Sequence, residues 1–345
     1  MSRTLLVTGG AGFIGSHLVD AWLARGGRVI VLDDLSSGRL GNLASSDGAV
    51  EFVEGSVLDQ PLLSELCARV DRVAHLASVV GVARVVEQPE RTRLVIEQGS
   101  RNVLEACKRR RLPVLLASSS EVYGAGHVVP LREEGPLLVG ATDHARFVYA
   151  RAKLAAEDLL LEADRGGATG WIARLFNTTG PRQDPASGMV LPALCARALS
   201  GEPLLVYGDG AQTRSFAHVA EVTEALLGLF DCPRARGVPV NVGAASEISM
   251  LDLARRVLRL SGSRSPIRFV EHEERFGAGF VDPPRRVPDL SRLAAMVPLR
   301  QPRGLDALII DTLRAHSGQE NPKTGAIPGF GALSSHGERQ ESVPS

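Results

Sequence analysis

The chain has 345 residues, 44% of them apolar, and a formal net charge of zero. That length accommodates one large α/β domain with a smaller one beside it, and the apolar share supports a buried core. Balanced charge gives no electrostatic reason for a nucleic-acid or anionic-membrane partner, and no apolar run approaches the roughly 20 residues of a membrane span.

In chain order, residues 4–8 read as a strand, 13–25 as a helix, and 28–32, 50–53 and 72–75 as further strands. A long helical stretch runs to Arg111. Its basic end, Lys108 to Arg111 before Pro113, suits the negative pole of a helix terminus. Strand 114–117, helix 147–163 and strand 170–176 follow. Short apolar runs alternating with helices predict a Rossmann-type, doubly wound parallel sheet of the α/β class. After Phe176 the pattern breaks into Pro- and Gly-rich segments, although 218–230 and 238–242 read as a helix and strand returning to the main sheet. The expected division is a dinucleotide-binding domain over 1–176 and 217–245, and a substrate lobe over 177–216 and 246–316. Residues 317–345 lack periodicity and read as a disordered tail.

The cysteines, Cys67, Cys107, Cys195 and Cys232, are far apart in sequence without a Cys-x-x-Cys pair. Neither a metal site nor a disulfide framework is expected, and a reducing cytoplasm is the default compartment. A strand starting at Thr4 leaves no room for a signal peptide.

The first strand runs into Thr8-Gly9-Gly10-Ala11-Gly12-Phe13-Ile14-Gly15 and then a helix. Glycines at 9, 12 and 15 permit a tight turn, close backbone approach to a pyrophosphate, and tight helix–strand packing; the helix N-terminus then faces the phosphates with Phe13 and Ile14 in its first turn. Asp33 and Asp34 end the second strand. A carboxylate there accepts from a ribose diol and repels a 2′-phosphate, so the expected cofactor is NAD rather than NADP. Asp34 has a second reading, as a solvent-facing loop cap.

Tyr149 and Lys153 are four residues apart on one helix, so phenol and ammonium share a face. A neighbouring cation is expected to lower the phenol's pKa and make Tyr149 a usable base. Lysine is otherwise confined to Lys108 and Lys323. Ser118, Ser119 and Ser120 lie at the carboxyl end of the fifth strand, the edge where such sheets bind ligands.

With these residues the chain resembles the extended short-chain dehydrogenase/reductases. The resemblance rests on TGGAGFIG, HLAS at 75–78, SSSEVYG at 118–124, Tyr149/Lys153, FNTTGPR at 176–182 and GDGAQTRSF at 208–216. It implies a tightly held NAD, a nucleotide-diphosphate-sugar substrate, and a homodimer paired through two long helices, here about 83–111 and 147–163. It nominates Ser119 as the hydroxyl partner of Tyr149 and Lys153. It also places Asn177, Tyr207, Gln212 and Arg214 on the sugar nucleotide, with Arg214 on the diphosphate. Ser120-Glu121 before Val-Tyr-Gly, and Arg286 before Pro288-Asp289, resemble the UDP-glucuronate decarboxylases within that family. Three departures stand out: Ser56 where an aspartate commonly meets adenine, Ile96 where an active-site asparagine is usual, and residues 125–147, expected to border the sugar pocket, which differ strongly from the UDP-xylose synthases.

The implied reaction is C4 oxidation of UDP-glucuronic acid, then loss of CO₂, giving UDP-xylose, a UDP-4-keto-pentose, or both. Tyr149 would take the C4 hydroxyl proton with Lys153 supporting the phenolate. Ser119 would stabilise the oxyanion, Ser120 and Glu121 would position the ring or relay a proton, and Arg286 would bind the carboxylate. Glu121 has an alternative reading, pairing with an arginine to set loop geometry. A UDP-sugar 4-epimerase is the alternative activity, and a non-catalytic nucleotide-sugar-binding protein the remote one.

Overall fold

The runs Leu5-Leu6-Val7 and Val29-Ile30-Val31-Leu32 are buried throughout in the computed structural model, as strands covered by helices on both faces must be. The structure describes residues 3–46, 49–125, 128–138, 144–165, 169–276, 280, 282–299 and 301–317. The expected tail beyond His316 falls almost wholly outside them.

The first part of the chain contains β1 (Thr4–Thr8), α1 (Phe13–Leu23), β2 (Arg28–Asp33), β3 (Val50–Glu54), α2 (Gln60–Cys67) and β4 (Arg72–His75). There follow α3 (Val82–Glu87), α4 (Pro89–Arg110), β5 (Pro113–Ser119), α5 (Arg146–Arg165) and β6 (Thr169–Leu175). The helical stretch expected before Arg111 is thus two helices. Pro89 opens the second, where its missing N–H costs nothing, and Gln88 before it leaves the helical region at φ −131°, ψ 57°. Lys108, Arg109 and Arg110 occupy the last turn of α4. Strand β5 runs two residues beyond the expected 114–117, which carries Ser118 and Ser119 into the sheet.

The second part adds β7 (Thr178–Thr179), α6 (Val190–Ser200), β8 (Leu204–Tyr207), β9 (Thr213–Ser215), β10 (Ala217–His218), α7 (Val219–Phe230) and β11 (Pro239–Val242). It ends with β12 (Glu247–Ser249), α8 (Met250–Ser261), β13 (Ile267–Val270), α9 (His272–Phe276), β14 (Arg285–Arg286), α10 (Ser291–Met296) and α11 (Leu305–Ser317).

The main sheet has the order β11-β6-β5-β4-β1-β2-β3, and every pairing in it is parallel. The sequence-predicted strand at 238–242 does return to this sheet, beside β6. Strand order reverses between β1 and β4, the switch point above which ligands bind. One hydrophobic cluster lies on the α1/α7 face, with Leu18, Val222, Leu226 and Phe230. Another lies on the α2/α4/α5 face, with Leu63, Val103, Ala152, Ala156 and Leu160. A third, including Leu194, Leu204, Leu253 and Ile309, joins α6, β8, α8 and α11. The three-stranded sheet β12-β9-β14 has β9 at its centre. No helix among the described residues is long and apolar enough to cross a membrane.

Candidate active site

The glycine loop leaves β1 with Gly9 at φ +72°. A Cβ on Gly9 would stand 2.7 Å from the Ala77 backbone N, and one on Gly15 would stand 2.1 Å from the Gly9 carbonyl O. Both positions therefore require glycine, and α1 sits close against the loop. No side chain caps α1, whose first turn also lacks acidic residues; unpaired N–H groups and the positive end of the helix dipole at such a terminus suit a phosphate. Asp33 is buried and accepts from the backbone N of Ala11 at 3.0 Å and of Leu35 at 2.9 Å. Burial raises its pKa while those N–H groups pull it down. Asp33 thus braces the loop. Asp34 is exposed and caps a turn, accepting from the Ser36 backbone N at 3.0 Å. Arg39 pairs with Asp184 at 2.8 Å. A glycine cradle, an uncapped helix N-terminus and a carboxylate at the end of β2 fit NAD.

Lys153 is buried, and its Nζ donates to the Ala117 carbonyl at 2.8 Å and lies 5.8 Å from the Tyr149 ring centroid. Burial lowers its pKa to about 8, opposed by the charge of Glu157. The expectation that a neighbouring cation lowers the Tyr149 phenol is corrected here. Tyr149 keeps some exposed surface, but its phenol is desolvated and pushed up to about 12. Hydrogen bonding to Ser119 pulls it down, and the Glu121 charge pushes it up. Desolvation is the largest influence on the phenol, while the Lys153 ammonium is directed at the Ala117 carbonyl.

Ser119 ends β5 and caps the short 3₁₀ turn Ser120–Tyr123, accepting from the Glu121 backbone N at 3.2 Å. The turn presents a buried Ser120 and brings Glu121 to Arg286, which is 5% exposed. The guanidinium grips the carboxylate with two nitrogens, Nη2 to Oε2 at 3.2 Å and Nη1 to Oε1. Glu121 thus makes the arginine pairing of its alternative reading, and its partner is Arg286, which the sequence reading had treated as a separate participant far along the chain.

Parallel pairing of β14 with β9 sets Arg286 opposite Arg214. Arg214 is also buried and pairs with Asp282 at 2.8 Å. Gln212 donates through Nε2 to the Tyr207 carbonyl at 2.9 Å, and the Tyr207 ring lies 6.1 Å from that of His272. Asn177 is half-buried, its carbonyl accepting from the Ala217 N at 2.9 Å. Ile96 belongs to the α2/α4/α5 core cluster, and Ser56 accepts through Oγ from the Leu58 N at 3.2 Å.

Sequence reasoning did not single out Glu157, Arg174, Tyr123 or Asn241, which form a buried polar chain behind the site. Glu157 accepts from Arg174 Nε at 3.0 Å and Nη2 at 2.7 Å, and from Ser118 Oγ. Spacing carried a signal: Glu157 follows Lys153 by four residues, as Lys153 follows Tyr149. His75 was noted only within a motif. It is buried between Thr8 Oγ1 at 2.7 Å and Ser100 Oγ at 3.1 Å, and burial, with help from the Lys153 charge, lowers its pKa to about 3.

Residues 5–243 match the NAD dependent epimerase/dehydratase family. The UDP-N-acetyl-alpha-D-glucosaminuronate decarboxylase of Bacillus cytotoxicus is 36% identical over 86% of this chain and 92% of its own length. UDP-glucuronic acid decarboxylase 1 of Arabidopsis thaliana is 36% identical over 84% of this chain, which spans 64% of that protein's length. The solved UDP-glucuronic acid 4-epimerase of Bacillus cereus, in complex with UDP-glucuronic acid and NAD, superposes with a TM-score of 0.81 at 25% identity, covering 91% of this chain and 99% of the other.

Proposed function

This chain belongs to the NAD dependent epimerase/dehydratase family, and on that premise we propose that it decarboxylates UDP-glucuronic acid by oxidation at C4. The products are UDP-xylose, a UDP-4-keto-pentose, or both. Relatives named as decarboxylases of UDP-hexuronates support the reading. The observation that carries it is the partly buried Arg286–Glu121 pair, whose Glu121 is close enough to influence Tyr149.

NAD, held by the loop of Gly9, Gly12, Phe13, Ile14 and Gly15 and by Asp33 with Asp34, supplies the hydride acceptor. Tyr149 takes the C4 hydroxyl proton, and the Lys153 ammonium favours the resulting phenolate. A C4 ketone lies β to the C6 carboxylate, so the electrons of the breaking C5–C6 bond pass into an enolate. Ser119 and the protonated Tyr149 donate to that oxyanion. Glu121 and Ser120 orient the ring and relay the proton that returns to C5. Arg286 orients the carboxylate while Glu121 already neutralises it. A fully unopposed guanidinium would stabilise the charge that the reaction must lose, and so hold back the transition state. Arg214 takes the diphosphate, with Asn177, Tyr207 and Gln212 along the rest of the sugar nucleotide.

In this reading the large sheet and its helices, residues 1–176 and 217–245, hold NAD, and residues 177–216 and 246–316 hold the sugar nucleotide. Two copies pair through α4 and α5, which pack side by side; sedimentation tests the dimer. The free thiols support a cytosolic home.

A second substrate, the 2-acetamido counterpart of UDP-glucuronic acid, is favoured by the near-full-length match to the Bacillus cytotoxicus protein. The deciding experiment gives NAD-loaded protein each substrate labelled with ¹³C at C6. Labelled CO₂ identifies the substrate. A C4 epimer without CO₂ would replace decarboxylation with 4-epimerisation.

A further inference from the structure

Arg174 and Glu157 form an ion pair at 2.7 Å with side chains only 3% and 2% exposed. Burying two charges costs more desolvation than a well-packed apolar pair, so such a pair adds little net stability and calls for another task. Tyr149, Lys153 and Glu157 recur every fourth residue and share one face of α5. The Glu157 carboxylate is fixed from two strands, by Ser118 Oγ of β5 and by two guanidinium nitrogens of Arg174 on β6.

Around Lys153 stand the Tyr149 ring and Glu157 from its own helix, the Ala117 carbonyl from β5, and His75 from β4. Arg174 of β6 lies beyond Glu157. His75 is neutral above its lowered pKa, which leaves Glu157 as the anion whose charge favours the buried ammonium.

The same pair reaches the rest of the site. Arg174 Nη1 donates to Tyr123 Oη at 3.2 Å and the Glu133 carbonyl at 3.2 Å; Tyr123 Oη donates to Asn241 Oδ1 at 2.6 Å. Asn241 Nδ2 donates to the Leu131 carbonyl at 2.9 Å, and Leu131 is bonded through its backbone to Val287 and Asp289. The chain therefore links α5 to the turn carrying Glu121 and to the segment just after Arg286.

We propose that Glu157, clamped by Arg174 and Ser118, is a positioning residue that supplies the counter-charge of the Lys153 ammonium and locks α5 against the Glu121 turn. The inference rests on the reading of Tyr149 and Lys153 as the reacting pair.

Because the chain contains only Lys108, Lys153 and Lys323, Lys153 can be titrated directly. The full chain is labelled at the lysine ε-carbon with ¹³C and followed by NMR, with Lys153→Met assigning the resonance. Glu157→Gln is expected to move the Lys153 midpoint down by about one pH unit or more, about a tenfold fall in the ratio of ammonium to amine. Glu157→Asp keeps the charge and restores most of the shift. Since Glu157→Gln strands the Arg174 charge, the double variant Glu157→Gln/Arg174→Met tests the same point without a stranded ion, and there too the midpoint falls. The basic limb of kcat should move with the NMR midpoint, with kcat lowered more than KM is raised. A folded single or double variant whose Lys153 titrates as in wild type overturns the proposal, whatever its activity. If the midpoint falls as expected but wild-type protein releases no CO₂ from either labelled UDP-hexuronate, the counter-charge role stands and the decarboxylase reading fails.

Discussion

Tyr149 is a poor base until something charges its surroundings. Its phenol stands at about 12 while Lys153 stands at about 8, so at neutral pH the pair holds both protons. The Lys153 ammonium is present below its pKa and lost as pH rises through it. The profile of kcat/KM, which reports the free enzyme, should therefore fall above pH 8 or so, and Lys153→Met should abolish that limb. Tyr149→Phe should cost roughly 10²-fold or more in kcat while nucleotide binding persists, as measured by CO₂ release and NAD titration. Glu121→Gln leaves Arg286 unopposed. It is expected to lower kcat by about tenfold or more without raising KM, because a freed guanidinium holds the substrate carboxylate too well. Steady-state kinetics on labelled substrate separate the two parameters.

At the scale of elements, the cofactor loop depends on a strand and a helix meeting at backbone distance. Gly15→Ala would drive a methyl to 2.1 Å from the Gly9 carbonyl, and α1 can accept it only by moving off β1. NAD retention, followed by the nucleotide released on denaturation, should fall at least about tenfold, a loss of 1.4 kcal/mol or more in binding. The spacing Gly9, Gly12, Gly15 made this element readable, since each glycine answers a local demand. Strand β5 was less readable at its end: Ser118 and Ser119 are weak strand formers by themselves, and pairing with Arg174 and Leu175 of β6 holds them in the sheet.

For the molecule as a whole, buried bases tie stability to pH. Burial pushes His75 down to about 3 in the folded protein, against an ordinary 6.5, and Lys153 down to about 8 against 10.5. In its own window each of these two groups binds more proton in the unfolded chain, so the His75 contribution to stability rises with pH between about 3 and 6.5 and the Lys153 contribution between about 8 and 10.5, where the buried Cys195 thiol, raised to about 12, works in the opposite direction from about pH 9 upward. The His75 contribution is complete above the first window and lost as pH falls through it. His75→Gln should flatten the acid side of a plot of urea midpoint against pH. An unchanged slope would mean that the folded protein protonates His75 near its ordinary pKa.

Local chemistry determined much of this protein in advance. Alternating apolar runs announced a parallel sheet, a glycine pattern between strand and helix announced the nucleotide loop, and four-residue spacing put Tyr149 and Lys153 on one face. Each of those signals spans only a few residues, so the sequence displays it directly. Tertiary structure alone decided which charged groups meet. Glu121 meets Arg286, Arg214 meets Asp282, and Glu157 meets Arg174 because β14, β9 and β6 bring distant segments together. It also reversed the expected shift of Tyr149. A pKa depends on how far burial removes water from a group and on the charges the fold places around it, and neither quantity is written in the spacing of a single helix.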